Sequence, residues 1–88
     1  MELSDEILTE IIYVKISINR TKIVKSLDEG VKIPSIISRE SGIRTNHVSK
    51  ILGDLKSRGL VECINPEFRK GKLYRLTDKG KLVSENLE

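Results

Sequence analysis

The stretch "SGIRTNHVSKILGDL", from Ser41 to Leu55, decides the fold of this 88-residue chain. Its apolar residues recur at spacings of three and four, which is the pattern of a helix with one buried face. Thr45 is the expected N-cap residue, and Gly59 marks the end of the helix. The pattern therefore predicts a helix over 45–58. Its expected buried stripe is Val48, Ile51, Leu52 and Leu55.

A shorter helix is predicted just before this one. The segment "IPSIISRESG" places Pro34 at the first helical position, where its missing N–H costs nothing, and a stop at Gly42. In the turn "GIRT", Gly42 can take the left-handed conformation, and Ile43 is expected to fill the angle between the two helices. Two helices joined by a short glycine-containing turn form a helix-turn-helix, here over 34–58.

The buried stripe determines what the second helix exposes. At about 100° per residue, Asn46, Ser49, Lys50, Gly53 and Ser57 fall opposite the stripe. Asparagine can bond adenine, lysine can reach guanine, and serine can contact bases or phosphates, so this face suits the major groove of DNA. A glycine inside a helix costs about 1 kcal/mol relative to alanine. Gly53 therefore indicates either a close approach of a ligand or a tolerated surface position. His47 and Asp54 lie on one flank of the face.

The remaining segments complete a mainly α chain with a small β-hairpin. The acidic, isoleucine-rich segment 5–16 is predicted to be helical, although "IIYVKISI" is also compatible with a strand. A further helix with Ile23, Val24 and Leu27 on one face ends at Gly30. The segments "LVECI" and "KLYRL" are predicted strands joined by the polar loop "NPEFRKG", and Thr77 caps a helix over 78–86.

Length and charge limit the size of the fold and the kind of partner that the chain can bind. A chain of 88 residues forms one domain with a modest core, here built from Ile, Leu and Val because aromatic residues are few. Residues 1–18 carry a net charge of −3, whereas residues 19–88 carry +6. Within 39–75 there are nine basic and four acidic residues. This basic part favours a polyanionic partner such as nucleic acid.

Catalysis and metal binding are not expected. The single cysteine, Cys63, excludes an internal disulfide and a multi-cysteine zinc site. His47, as a metal ligand or general base, lacks a second ligand or carboxylate at helical spacing, so a DNA contact or a solvated side chain is favoured. Nucleophile motifs and phosphate-binding glycine loops are absent. We therefore expect no enzymatic activity, cofactor, metal, membrane span or identifiable small-molecule effector, and a cytoplasmic location.

From about Ser17 to Ser84 the chain resembles the winged helix-turn-helix domain of small archaeal and bacterial transcription regulators of ArsR-like or MarR-like type. The resemblance rests on "NRTKIVKSL", "IPSIISRESGI" and, above all, the pairing of "HVSKILGDLKSRGLV" with "GKLYRLTDKG". It implies a three-helix core with a two-stranded wing over 60–76 and extra N- and C-terminal helices. The chain departs from the metal-sensing ArsR pattern, because the paired cysteines or clustered ligands of those sensors are missing.

The resemblance also implies roles for particular residues. The helix over 45–58 would be the recognition helix, the wing would contact phosphates or the minor groove, and Ser35 would contact a backbone phosphate. Homodimerisation would use the segments 5–16 and 78–86, although the stripe Ile7, Ile11 and Val14 is equally compatible with core packing. The implied DNA-binding residues are Ser35, Arg44, Thr45, Asn46, His47, Ser49, Lys50, Gly53, Arg69, Lys70 and Lys72.

Two functions therefore remain open. The first is a sequence-specific regulator that binds double-stranded DNA as a homodimer. The second is a winged-helix module that docks another protein, which the modest net charge of +3 and the acidic N-terminal segment both permit.

Overall fold

A computed structural model of the protein describes residues 3–87. These residues form five helices and one two-stranded antiparallel hairpin, so the mainly α class with a small hairpin is confirmed. The elements are α1 (Asp5–Lys15), α2 (Ile18–Leu27), α3 (Pro34–Ser41), α4 (Thr45–Ser57), β1 (Val61–Cys63), β2 (Tyr74–Leu76) and α5 (Asp78–Glu85).

The core is built from aliphatic side chains, as the composition predicts. All four apolar positions of α4 are buried, and three of them are completely inaccessible to solvent. Ile23 and Val24 of α2 and Ile37 of α3 pack in the same core, as does Val83 of α5. Burial of these side chains supplies the main driving force for folding. It also fixes the rotation of α4, whose opposite face is left to solvent.

The turn between α3 and α4 has the predicted geometry. Gly42 adopts the left-handed conformation with φ of 77°, which glycine reaches at no steric cost. Ile43 is only 7% exposed and fills the angle between the two helices. The hydroxyl of Ser38 donates to the carbonyl of Ile43, and the N–H of Ile43 donates to Ser41 Oγ at 3.2 Å. These bonds fix how α4 leaves the turn.

The hairpin is attached to the helices by a contact that the sequence does not reveal. Val61 pairs with Leu76 and Cys63 with Tyr74 in the antiparallel register. Lys32, between α2 and α3, forms an isolated bridge with Tyr74 through two backbone hydrogen bonds of 3.0 and 2.9 Å. The bridge holds the hairpin beside the first turn of α3.

The side chain of Lys32 also fixes the loop between α2 and α3. Its Nζ donates to carboxylate oxygens of Glu29 at 2.7 Å and Glu40 at 2.6 Å. The hydrogen bond from Lys32 lowers the pKa of the Glu40 carboxyl, so this carboxylate stays charged to more acidic pH than usual. The loop after α2 is therefore tied to α3 through the side chain as well as the main chain.

An ionic cluster attaches α1 to the rest of the fold. Glu10 is buried and accepts from Arg58 Nε at 2.6 Å, while Lys79 Nζ lies 3.4 Å from its other oxygen. Lys79 also pairs with Glu6 at 2.7 Å, and this hydrogen bond lowers the pKa of the Glu6 carboxyl. The Tyr13 ring stacks with the guanidinium of Arg58, 3.7 Å from the ring centroid. The cluster thus connects α1 to the end of α4 and the start of α5.

Several predicted boundaries are wrong by one or a few residues. Thr45 is not the N-cap of α4: Arg44 takes that position without a side-chain cap, and Thr45 is the first helical residue. The helices predicted over 5–16, 45–58 and 78–86 each end one residue earlier, because their last residues serve as C-caps. The strands are shorter than the predicted segments. The alternative strand in "IIYVKISI" is absent, because α1 is followed by a turn and then α2.

Among residues 3–87, no helix has the length and apolar character needed to cross a membrane.

Candidate nucleic-acid interface

The outer face of α4 is polar and open. Asn46, Ser49, Lys50, Gly53 and Ser57 are all exposed, as the helical geometry predicts. No atom lies within 4 Å of the position that a Cβ at Gly53 would occupy, so the described part of the chain does not itself require glycine there. The face therefore offers hydrogen-bonding groups around a position where another molecule can approach the helix backbone closely.

A cleft of about 470 Å³ lies on one side of this face, and we call it the wing cleft. It brings together the start of α3, the start of α4 and the loop of the hairpin. The polar and charged side chains that line it are Ser35, Thr45, Ser49, Arg69, Lys70, Lys72 and Tyr74. Six residues predicted separately as DNA contacts thus share one cleft.

A second cleft, of about 360 Å³, lies on the opposite side of the face, between α2 and α4. His47, Lys50 and Asp54 line it from α4, and Asn19 and Arg20 line it from the start of α2. The polar face of α4 is consequently a ridge with a cleft on each side. Neither of the two α2 residues was predicted as part of a site, because nothing in the sequence places the start of α2 beside α4.

The cations around the ridge differ in how far the protein neutralises them. Arg44, Arg69, Lys70 and Lys72 form no ion pair with any residue from 3 to 87. Lys50 is 73% exposed and has only a long contact, 3.4 Å, with Asp54 one helical turn away. Exposed pairs of this kind contribute little, and Lys50 can exchange Asp54 for another partner at small cost.

Most acidic residues of the basic region are already paired with cations. Glu40 bonds Lys32 at 2.6 Å, and Glu62 bonds Arg75 at 2.7 Å across the hairpin. Three of the four negative charges of the region thus have a cation beside them, and only Glu67 forms no ion pair with a described residue. The wing-cleft cations keep their full charge toward solvent. The wing cleft therefore attracts anions more strongly than the net charge of +3 suggests.

Tyr74 adds a neutral hydrogen-bonding group to the wing cleft. Burial, with a smaller contribution from Cys63, raises the pKa of the Tyr74 phenol. The phenol therefore keeps its proton at neutral pH and can donate it to an anionic oxygen. Tyr74 was missed by sequence reasoning, since its position beside α3 depends on the backbone bridge with Lys32.

Not every predicted residue lies in a cleft. Asn46 and Gly53 lie on the exposed ridge, and Arg44 is exposed at the start of α4. All of the predicted contacts from α3, α4 and the hairpin therefore lie on the ridge, in its clefts or at the start of α4.

A separate apolar surface lies on α1. Ile11 and Val14 are buried and Ile7 packs against the core, so the predicted stripe of Ile7, Ile11 and Val14 is core packing. Leu8, Ile12 and Ile16, which recur at every fourth position, are instead exposed by 44%, 60% and 76%. We refer to these three residues as the α1 stripe.

No group of three or more His, Cys, Asp and Glu side chains within residues 3–87 is arranged to hold a metal ion. No protein-family model matches the chain, and a search of curated proteins finds no match to it either.

Proposed function

We propose that this chain is a sequence-specific double-stranded DNA-binding transcriptional regulator with a winged helix-turn-helix fold. In this proposal α3 and α4 form the helix-turn-helix, the hairpin is the wing, and α1 and α5 are additional helices. The observation that carries the proposal is the exposed polar ridge of α4 beside a cleft that collects Arg69, Lys70 and Lys72. The major groove of B-DNA, about 12 Å wide, admits one helix with such a face.

The ridge of α4 suits contacts with base edges, and the wing cleft suits contacts with phosphates. Asn46, Ser49 and Lys50 carry groups that match base edges, and they lie near the helix N-terminus, the end that usually points at the bases. His47 stands beside them on the flank of the ridge. The wing-cleft cations and hydroxyl groups suit the phosphates of one strand, which position a protein without reading sequence.

Selection of bound duplexes from a random library tests this function. A regulator enriches one short motif, and a homodimer enriches two copies of it related by two-fold symmetry. Recovery of unenriched sequences would contradict sequence-specific binding.

Lys50→Ala and Arg69→Ala should weaken binding in different ways. Loss of a base contact at Lys50 should cost about 1–3 kcal/mol and relax discrimination at one base pair. Loss of a phosphate contact at Arg69 should weaken all duplexes similarly and lower the salt slope by about one. Titrations of selected and random duplexes at several salt concentrations measure both effects. Equal losses for the Lys50 variant on selected and random DNA would contradict its role in base reading.

The homodimer belongs to the same proposal and is supported by the α1 stripe. An apolar row on the outside of a helix is suited to burial against a second copy of itself. Ile12→Asp places a charge in the middle of this row and should convert the dimer to a folded monomer, as measured by sedimentation equilibrium and circular dichroism. Ile64→Asp is the control, because Ile64 is a 42% exposed apolar residue outside α1, and it should leave the dimer intact. A wild-type chain that is monomeric at high concentration would contradict the dimer.

A module that docks another protein is the second candidate, because the α1 stripe fits an apolar partner surface as well as a second copy. The two candidates differ in their affinity for DNA. A regulator binds non-specific DNA with a Kd of about 100 μM or tighter at physiological salt. The absence of DNA binding at that concentration would therefore favour the docking module.

A further inference from the structure

The single phenylalanine of the chain lies at the tip of the hairpin, where it is poorly shielded from water. Phe68 is 53% exposed, although a benzyl side chain favours burial. Arg69, Lys70 and Lys72 line the wing cleft, whereas Phe68 is not among the residues that line it. The ring is therefore exposed to solvent on the loop and is not part of the cleft wall.

The loop that carries Phe68 is internally bonded. The N–H of Phe68 donates to the carbonyl of Asn65 at 3.0 Å, which closes a four-residue turn with Pro66 in its second position. The side chain of Asn65 accepts from the N–H of Leu73 at 2.7 Å and donates to the carbonyl of Gly71 at 3.1 Å. The side chain of Asn65 thus ties the start of the loop to its end and holds the tip in a defined shape.

The surroundings of the ring indicate which partner it meets. Arg69 and Lys70 follow it directly and form no ion pair with a described residue, whereas Glu67 contributes the only negative charge of the tip. The tip therefore has a net positive charge, and an apolar protein surface would leave its cations unpaired. A polyanion with apolar surfaces between its charges fits both parts of the tip.

DNA has this combination in its minor groove. If a phosphate strand occupies the wing cleft while α4 enters the major groove, the next groove across that strand is the minor groove, and the hairpin tip lies at it. Minor-groove proteins insert apolar side chains between base steps and bend the duplex, with cations on the flanking phosphates. We propose that Phe68 is a wedge that enters the minor groove and partly unstacks one base step, with Arg69 and Lys70 bound to the phosphates beside it.

This inference rests on the proposed DNA-binding function, and its first test compares affinities. Phe68→Ala should weaken binding to the best selected duplex about tenfold, the scale of one lost aromatic–base contact. Because the side chain is uncharged, the salt slope should not change, in contrast to Arg69→Ala. Ile64→Ala is the matched control, since Ile64 is a 42% exposed apolar residue at the start of the same loop. This control should bind as wild type does.

The second test detects unstacking directly. Duplexes in which 2-aminopurine replaces adenine at successive positions become more fluorescent where a base is unstacked. Wild type and Ile64→Ala should raise the fluorescence at one position outside the major-groove motif, and saturating Phe68→Ala should not. A wild-type complex without such a rise in fluorescence would overturn the role of Phe68 as a wedge, and so would a Phe68→Ala variant that binds as tightly as wild type. Either result would leave the proposed DNA-binding function standing. Failure of the wild-type protein to bind any duplex would overturn both the wedge and the proposed function.

Discussion

Gly80→Ala should destabilise the protein by about 3 kcal/mol, because overpacking against an immovable group costs about 1–3 kcal/mol and occasionally more. A Cβ at Gly80 would lie 2.0 Å from the carbonyl oxygen of Leu60 and 3.0 Å from its carbonyl carbon. Both are backbone atoms just before β1, so neither a rotamer change nor a small shift relieves the clash. The first turn of α5 would have to move away from the hairpin.

Gly53→Ala is the matched control, since it is the same substitution at another helical glycine. Nothing surrounds a Cβ at Gly53, and alanine should stabilise α4 by about 1 kcal/mol. Urea unfolding of the two variants should therefore give shifts of opposite sign. A Gly80→Ala variant as stable as wild type would contradict the close contact of α5 with Leu60.

The same control variant separates the two interpretations of Gly53. If DNA approaches α4 closely at this position, Gly53→Ala binds the selected duplex more weakly although it is the more stable protein. If Gly53 is only a tolerated surface residue, the affinity is unchanged. A lower affinity cannot then be attributed to unfolding, because the variant is expected to be more stable than wild type.

Arg58→Gln should cost roughly 2 kcal/mol of stability at neutral pH, somewhat below the usual cost of breaking a fully buried ion pair. Glu10, its partner, has a side chain only 9% exposed, so the carboxylate would be left poorly solvated. The cost is reduced because Arg58 is itself 34% exposed and Lys79 remains 3.4 Å from Glu10. Part of the loss comes from the stacking of Arg58 on Tyr13.

Arg75→Gln provides the control for burial. Arg75 bonds Glu62 at 2.7 Å, almost the same distance as the Arg58–Glu10 bond, but both side chains are about half exposed. Exposed pairs contribute about 0–1 kcal/mol, so this variant should unfold nearly as wild type does. Equal losses from both substitutions in thermal or urea unfolding would contradict the importance of the buried carboxylate for holding α1.

Much of the fold could be predicted because its signals are local. The spacing of Val48, Ile51 and Leu52 predicts α4 from residues close together in the sequence. In the same way, Pro34 marks the start of α3 and Gly42 marks the turn between the two helices. The exposed ridge of α4 followed directly from that stripe. Loop and helix-start positions are seldom covered by other elements, and among the described residues this leaves Arg44, Arg69, Lys70 and Lys72 without an ion pair.

The contacts that could not be predicted join residues far apart in the sequence. The bridge of Lys32 with Tyr74 and the pairing of Glu10 with Arg58 link segments about 40 to 50 residues apart, and no local pattern marks either of them. In the sequence, the stripe of Ile7, Ile11 and Val14 is compatible with packing in the core or at a dimer contact, and α1 also carries a second apolar row at Leu8, Ile12 and Ile16. Which of the two rows is buried depends on the packing of the other helices, and the core takes Ile11 and Val14 rather than Ile12. The second cleft, at Asn19, was missed for the same reason.

The most direct test of the central claim is a titration of the wild-type protein with the best selected duplex and with a random duplex at two salt concentrations. A regulator that reads bases through the α4 ridge should bind the selected duplex at least about 1,000-fold more tightly than the random one at physiological salt. Both affinities should fall steeply as salt rises, because the wing-cleft cations displace counterions from the phosphates. Equal affinity for the two duplexes, or binding that does not respond to salt, would contradict the account.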